Sequence, residues 1–344
     1  MLVFVIRRLA WAVLLVAVIT LITFVIFLLV PANQVSARQG LVTPNLRAQY
    51  HLEHHTLPGQ YVRYVGRVFG HGDLGQSLRQ PLTVRQIITE AFPVTASLVI
   101  GGTIVWLLIA IPIGLLSALR PRSLLDKGLM VLVLVGVSAH PVWLGLMLSY
   151  GLGVKTHVFP IAGYCDLRYN HAHLCYGPKY WAYHMVLPWI TFALLFAALY
   201  ARMIRASILE AIEEDYIRTA RAKGASTWRI LRKHVLRNAM LPLIAMLGMD
   251  VGLAFGGAIF IETVFDLPGM GQALYQALGS NDQPVIMGVA LVVGVMVAIA
   301  NMLADLLCCW IDPRVRLYAP SWAKTPVFRR RRVSAQPEVR ISPG

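Results

Sequence analysis

The sequence predicts an all-α polytopic membrane protein: six transmembrane helices, both termini cytoplasmic, and a two-helix cytoplasmic loop between the fourth and fifth spans. Three observations carry this expectation. The 344 residues are 57% hydrophobic and only 14% charged, where soluble domains carry about 25% charged residues. Mean hydropathy is +0.64. Predominantly apolar runs of about twenty residues, enough to cross about 30 Å of hydrocarbon, alternate with short segments rich in Arg and Lys. The formal net charge of +15 follows from the accumulation of Lys and Arg in cytoplasmic loops. The basic clusters fall at span ends rather than on one soluble face, which argues against nucleic acid as a partner.

Arg7 and Arg8 precede the first span, Leu9 to Val30. Val35-Ser36-Ala37 resembles a signal cleavage site, but a secretory apolar region is about 7–15 residues. The longer run here reads as a retained helix, residues 1–31. Residues 32–93 form an extracytoplasmic loop. Its His51-Leu52-Glu53-His54-His55 patch lacks the H-E-x-x-H order of a zinc protease and any further ligand set, so these read as surface histidines and no metal site is expected. Gly72-Asp73-Leu74-Gly75-Gln76-Ser77 reads as a turn before a short amphipathic piece, Val84 to Ala91.

Pro93 opens the second span, Val94 to Leu119, which ends in the basic Arg120-Pro121-Arg122 and Lys127. The third span, Leu129 to Val154, is interrupted at Ser138-Ala139-His140-Pro141. Proline frees backbone groups that neighbours must satisfy, and His140 suits a bond to such a carbonyl. Lys155 to Tyr183 is a second extracytoplasmic loop holding Cys165 and Cys175. Whether they are bridged stays open, because spacing does not fix disulfide geometry. Cys308 and Cys309, near the inner end of the last span, are expected to stay reduced.

The fourth span runs from Met185 to Tyr200, extending toward Met203; the fifth covers Met240 to Val264 and the sixth Val285 to Trp310. Between the last two, Asp266 to Pro284 carries Asp266 and Asp282 without Lys or Arg, as an extracytoplasmic loop should. The five later helices form a core over 94–317. Residues 318–344, with Arg329 to Arg332, read as a basic, disordered cytoplasmic tail.

The stretch from Glu213 to Leu243, within a loop over 205–238, is unlike the rest. Glu213, Glu214 and Asp215 begin a helix where acids suit the positive end of its dipole, and Arg218, Arg221 and Lys223 follow toward the negative end. Gly224 ends it, since glycine readily takes the left-handed cap. Ser226 or Thr227 caps a second helix from Trp228 to Arg237. Ala220, Ala222, Gly224 and Ala225 leave a surface of small side chains that another protein's groove can approach closely. An amphipathic hairpin lying on lipid would want more large apolar residues. The stretch reads as a docking element.

Asp215-Tyr216-Ile217-Arg218-Thr219-Ala220-Arg221-Ala222-Lys223-Gly224, with Leu236-Arg237-Asn238-Ala239 and Leu241-Pro242, resembles the coupling loop of ABC-importer permeases, specifically the B-type subunit of the dipeptide/oligopeptide branch. The resemblance extends through Gly72-Asp73-Leu74-Gly75-x-Ser77, Pro141-x-Trp143-Leu144-Gly145, Glu262-Thr263-Val264-Phe265 with Pro268-Gly269-x-Gly271, and Asp312-Pro313-Arg314-Val315-Arg316. It implies an inner-membrane permease that couples peptide transport to ATP through Glu214, Asp215, Tyr216, Arg218, Thr219, Ala220, Arg221, Ala222, Lys223, Gly224 and Ala225. The implied partners are a homologous second permease subunit, two ATP-binding subunits and an extracytoplasmic solute-binding protein. ATP and magnesium would sit on the partner subunits. The chain agrees on this: it contains no G-x-x-x-x-G-K-[ST] phosphate loop.

For a translocation path the first choice is Asp250, since a mid-span carboxylate costs about 2.5–3.5 kcal/mol on insertion scales and should face the bundle interior. His140, Asn301, Glu262 and Asp305 are further candidates. Gly252, Gly256 and Gly257 permit close helix packing around Asp250. An ion-driven transporter or channel acting without an ATPase is the alternative. It would favour ionisable residues spread through several spans, whereas here the charge gathers in one loop. An intramembrane hydrolase would need a paired nucleophile and base; Ser138 and His140 lack an orienting third group.

Overall fold

The computed structural model describes residues 2–29, 57–167, 175–231 and 235–311. The His51–His55 patch, the basic tail and residues 232–234 of the central loop lie outside them. Among the described residues the fold is all-helical, with no strands. In order, the helices are α1 (Leu2–Leu29), α2 (Leu57–His71), α3 (Val84–Leu119), α4 (Leu124–Ser138), α5 (Pro141–Leu148), α6 (Pro178–Glu213), α7 (Asp215–Ala222), α8 (Thr227–Ile230), α9 (Leu236–Val264), α10 (Met270–Ser280) and α11 (Gln283–Ile311). Five of them, α1, α3, α6, α9 and α11, are long and apolar enough to cross a membrane.

The predicted third span is not one helix. α4 stops at Ser138, α5 restarts at Pro141, and Ser149–Lys155 winds wider in π geometry. His140 caps the restart, its Nδ1 accepting the Val142 amide at 3.3 Å. The sequence reading gave it a carbonyl; the orphan group it meets is the amide at a helix start.

Two spans are longer than their apolar stretches suggest. α3 begins at Val84 and runs through Pro93 instead of starting there. Thr83 and Gln86 form a reciprocal capping box at its start, and Val84, Ile88, Ala91 and Thr95 continue a buried stripe at helical spacing. α6 likewise passes Met203 and continues to Glu213, because Ile204, Ile208 and Ala211 extend its buried face between charged residues. Glu213 therefore closes α6 and does not open the next helix.

α3 and α6 form the most extensive helix pair and α9 with α11 the next. Trp106 of α3, fully buried, stacks on Phe196 of α6 with ring centroids 4.5 Å apart. At Gly252 of α9 a Cβ would lie 3.1 Å from Val297 of α11, a close approach that needs the missing side chain, whereas Gly256 and Gly257 face open space. A smaller cluster of Phe24, Tyr64, Val68, Met287 and Leu291 joins α1, α2 and α11.

α6 and α9 are antiparallel neighbours, so α7 and α10 lie at opposite ends of α9. At 1.5 Å per residue, its 29 residues separate them by about 43 Å.

Candidate functional site

The charged stretch folds as a helix held to the bundle at one point. Glu214, in extended conformation, caps α7 directly after α6 ends. Ile217 is fully buried and belongs to the main core cluster, while Glu214, Asp215, Tyr216, Arg218, Thr219, Arg221, Ala222, Lys223 and Gly224 are exposed and Ala220 and Ala225 half-buried. α7 thus presents almost its whole surface outward. Gly224 has φ +76°. Its amide donates to Arg221 O at 2.9 Å and the Ala225 amide to Ala220 O at 3.2 Å. That is the paired bonding of a Schellman cap. A Cβ at Gly224 meets nothing, so this corner is open. Arg218 and Asp215 approach at 3.6 Å while both remain exposed, and such a pair contributes little. Of the second predicted helix, Thr227–Ile230 is described, with the Ile230 amide bonded to Ser226 O at 3.0 Å.

Near this end, a buried carboxylate ties three helices together. Asp126 accepts both Arg205 Nε and Nη2 of α6 at 2.8 Å, the Arg122 amide at 2.9 Å, and the Ser117 hydroxyl of α3. The Arg205 guanidinium, with the Ser117 hydroxyl next, holds this carboxyl well below the usual carboxylate range. Sequence reading missed Asp126, though Ser123-x-x-Asp126 had the form of a helix start: Ser123 Oγ accepts the Asp126 amide at 3.1 Å.

Midway along α9, Asp250 is 6% exposed and accepts the Tyr200 hydroxyl of α6 at 2.7 Å. Replacing Tyr200 by Phe removes that donor from a buried carboxylate, so about 1–3 kcal/mol of stability is expected to be lost. Asp250→Asn, which retains an acceptor, should cost less. Melting of the detergent-solubilised protein checks the order.

At the other end of α9, Glu262 is fully buried. Oε1 accepts the Thr95 hydroxyl of α3 at 2.6 Å, and Oε2 accepts the Gln272 amide at 3.0 Å. Thr95 in turn accepts the Met270 amide at 2.8 Å. A carboxylate and a hydroxyl therefore satisfy two of the orphan amides at the start of α10. α10 itself occupies most of the predicted Asp266–Pro284 loop and was not expected. Beside it, Asp282 accepts from the Ser77 hydroxyl and from the Leu78 amide at 3.2 Å, which gives the Gly72–Ser77 turn its packing partner. A cavity of about 550 Å³ opens here between the Ser77–Val94 segment, α10 and residues 164–166, lined by Arg79, Glu90 and Gln276 among others.

The other candidates are dispersed. His140 is exposed, with Phe260 edge-on at 5.8 Å. Asn301 is half-buried and donates to Val297 O at 3.0 Å, and Asp305 pairs with Arg8 of α1 at 2.7 Å. Cys165 and Cys175 are joined in a disulfide with Cα atoms 4.9 Å apart. Thus the residues from Glu214 to Ala225 form one surface, and the path candidates form none.

Comparison with known proteins adds identity to this geometry. Residues 110–317 match the model of the binding-protein-dependent transport system inner membrane component, and residues 1–99 match that of the N-terminal region of such membrane components. A putative peptide permease protein of Brucella suis is 37% identical over 310 residues, covering 87% of this chain and 94% of the relative. The dipeptide transport system permease protein DppB of Escherichia coli K12 is 34% identical over 337 residues, covering 92% and 99%. The probable D,D-dipeptide transport system permease protein DdpB of the same strain is 35% identical over 334 residues, covering 90% and 97%. Among solved structures, an inward-facing MetNI methionine ABC transporter chain aligns with TM-score 0.52 and 19% identity, over 66% of this chain and 97% of that one. The last similarity is one of fold.

Proposed function

The chain belongs to the family of binding-protein-dependent transport system inner membrane components, and from that premise we propose that it is the inner-membrane permease subunit of an ABC importer for peptides. It forms half of a translocation path and couples it to ATP hydrolysis on separate subunits. Relatives named for dipeptide and peptide transport, at 34–37% identity over most of the chain, support the substrate class. No observation favours the ion-driven alternative.

In this reading the membrane is crossed six times, by α1, α3, the α4–α5 pair with its wider final turn, α6, α9 and α11, with both termini cytoplasmic. The basic Arg120-Pro121-Arg122 turn and the α7–α8 loop then face the cytoplasm, in line with the distribution of Lys and Arg. α10 and its cavity face the solute-binding protein. A homologous second permease subunit completes the path, and two ATP-binding subunits carry ATP and magnesium.

The observation that carries the proposal is α7: a short helix exposed on nearly every side, capped at Gly224, and continuous through a single residue with the 36-residue α6. Closure of ATP-binding subunits around it would turn α6, and the Asp126–Arg205 clamp would carry that motion to α3 and α4. Such coupling requires that the partner bind the two membrane conformations with different affinity.

A path between two subunits is lined by side chains that one subunit alone exposes. We therefore assign path contact to His140, and positioning roles to the buried Asp250 and Glu262. Asn301, half-buried and bonded to its own helix, lies between these cases.

Co-expression with candidate ATP-binding subunits tests the function. The wild-type chain should copurify with them and stimulate ATP hydrolysis. Gly224→Trp should abolish stimulation, while Gly224→Ala, which carries the backbone strain of about 1–2 kcal/mol without the bulk, should largely retain it. A wild-type chain that neither copurifies with nor stimulates any ATPase overturns the proposal.

A further inference from the structure

Away from the coupling element, three ligand-type side chains converge near the start of α6. Cys165 Sγ, Cys175 Sγ and a ring nitrogen of His184 lie within 4.8 Å of one another. Cys165 is 1% exposed, and the other two are half-buried.

The imidazole is oriented. His184 Nδ1 lies 3.0 Å from the Tyr180 carbonyl oxygen. A carbonyl only accepts, so Nδ1 carries the proton and the lone pair sits on Nε2; Cys165 Sγ, bridged to Cys175, lies 3.3 Å from Nδ1 and 3.8 Å from Nε2. Metal-bound histidines are held in the same way, with the second ring N–H donated to a carbonyl or carboxylate. Zinc bonds of about 2.3 Å to sulfur and about 2.0–2.1 Å to nitrogen, at tetrahedral angles, separate the two ligand atoms by about 3.6 Å. Nε2 and Cys165 Sγ stand near that separation, and the sulfur, now on the Nδ1 side of the ring, has to swing toward the Nε2 lone pair once the bridge opens. With the Cα atoms 4.9 Å apart, rotation of the cysteine side chains brings the freed sulfurs to the roughly 3.8 Å spacing of two thiolates on one ion.

We propose that Cys165, Cys175 and His184 form a redox-gated site for a thiophilic divalent ion of the zinc class. In the bridged state the sulfurs are not thiolates and the site is closed. A dithiol reductant delivers two electrons and two protons, becomes a disulfide itself, and leaves two thiols. Binding of the ion then displaces the two thiol protons, giving two thiolates, one neutral imidazole and a water at the fourth position. Thiol–disulfide exchange with a disulfide oxidant, which takes up the two electrons and leaves as a dithiol, re-forms the bridge and releases the ion.

The test uses the full chain in detergent, with Cys308→Ser and Cys309→Ser so that only the loop thiols remain, and Co²⁺ as probe. After reduction, one equivalent of cobalt should bind, with near-ultraviolet thiolate charge-transfer absorption and the visible bands of a tetrahedral ion. Zn²⁺ should displace it, and the oxidised chain should show neither signal. His184→Ala should weaken cobalt binding by about tenfold or more and alter the visible bands. The oxidised-against-reduced comparison uses one folded protein and needs no loop variant. A reduced chain that binds no cobalt overturns the site, as does equal binding by both redox states or an unchanged affinity and spectrum in His184→Ala.

Discussion

Ile217→Ala is expected to disconnect ATP hydrolysis from transport while leaving the spanning bundle folded. An isolated eight-residue helix is far below the length at which helices are stable in water, so α7 persists because it is seated. Ile217 is its only buried residue. Truncating a buried Ile to Ala costs about 2–5 kcal/mol, and about 1.4 kcal/mol changes an equilibrium tenfold. The equilibrium constant for seating α7 should therefore fall by at least about tenfold. Peptide uptake by the assembled complex in proteoliposomes should fall with the seated population. The melting temperature of the spanning bundle should change little, because α7 lies at its margin. Arg218→Ala, on the exposed face, should leave the seat intact and act only through partner affinity. Uptake that stays at the wild-type level in Ile217→Ala would remove α7 from the transmission route.

The second large effect is expected at the opposite end, where Glu262 joins α3, α9 and α10. Glu262→Ala strips the acceptor from the Thr95 hydroxyl and the Gln272 amide, both of which bond to it. Each buried donor left without a partner costs about 1–3 kcal/mol, and the vacated volume adds to that. Glu262→Gln retains one oxygen acceptor and should fall between wild type and Ala. Gly271→Ala should act in the same direction by a different route. Its new methyl would sit 2.5 Å from the Ile259 Cα, and overpacking of this kind costs about 1–3 kcal/mol. Thermal melts should order the variants as wild type, Gln, Ala. If Glu262→Ala melts with wild type, the carboxylate does not hold this end together.

Much of the α7 stretch was legible because it is written locally. Acids at a helix start, cations at its end and a glycine after it specify a short capped helix, and α7 with its left-handed Gly224 has that form. Helix ends set by tertiary burial were harder to read. Pro93 looked like the opening of a span, yet a capping box at Thr83 and a buried stripe carry α3 through it. α6 outran its apolar stretch for the same reason: a half-buried helix needs only one apolar face.

α10 was hidden because its start borrows its capping groups from Glu262 and Thr95, which are distant in sequence. Asp250 was expected in the bundle interior and is there, but its Tyr200 partner on α6 could not be read from either helix alone. Sequence spacing leaves the Cys165–Cys175 pairing open for a similar reason, since it does not fix the geometry of the two side chains.

The sequence by itself determined the membrane character, the apolar stretches and the charged, capped helix α7, because hydropathy and helix-end chemistry act over a few neighbouring residues. Only the tertiary structure decided which carboxylates are clamps. Asp126, Asp250 and Glu262 acquire their roles from donors on other helices, and a buried charge is stable only where such donors converge.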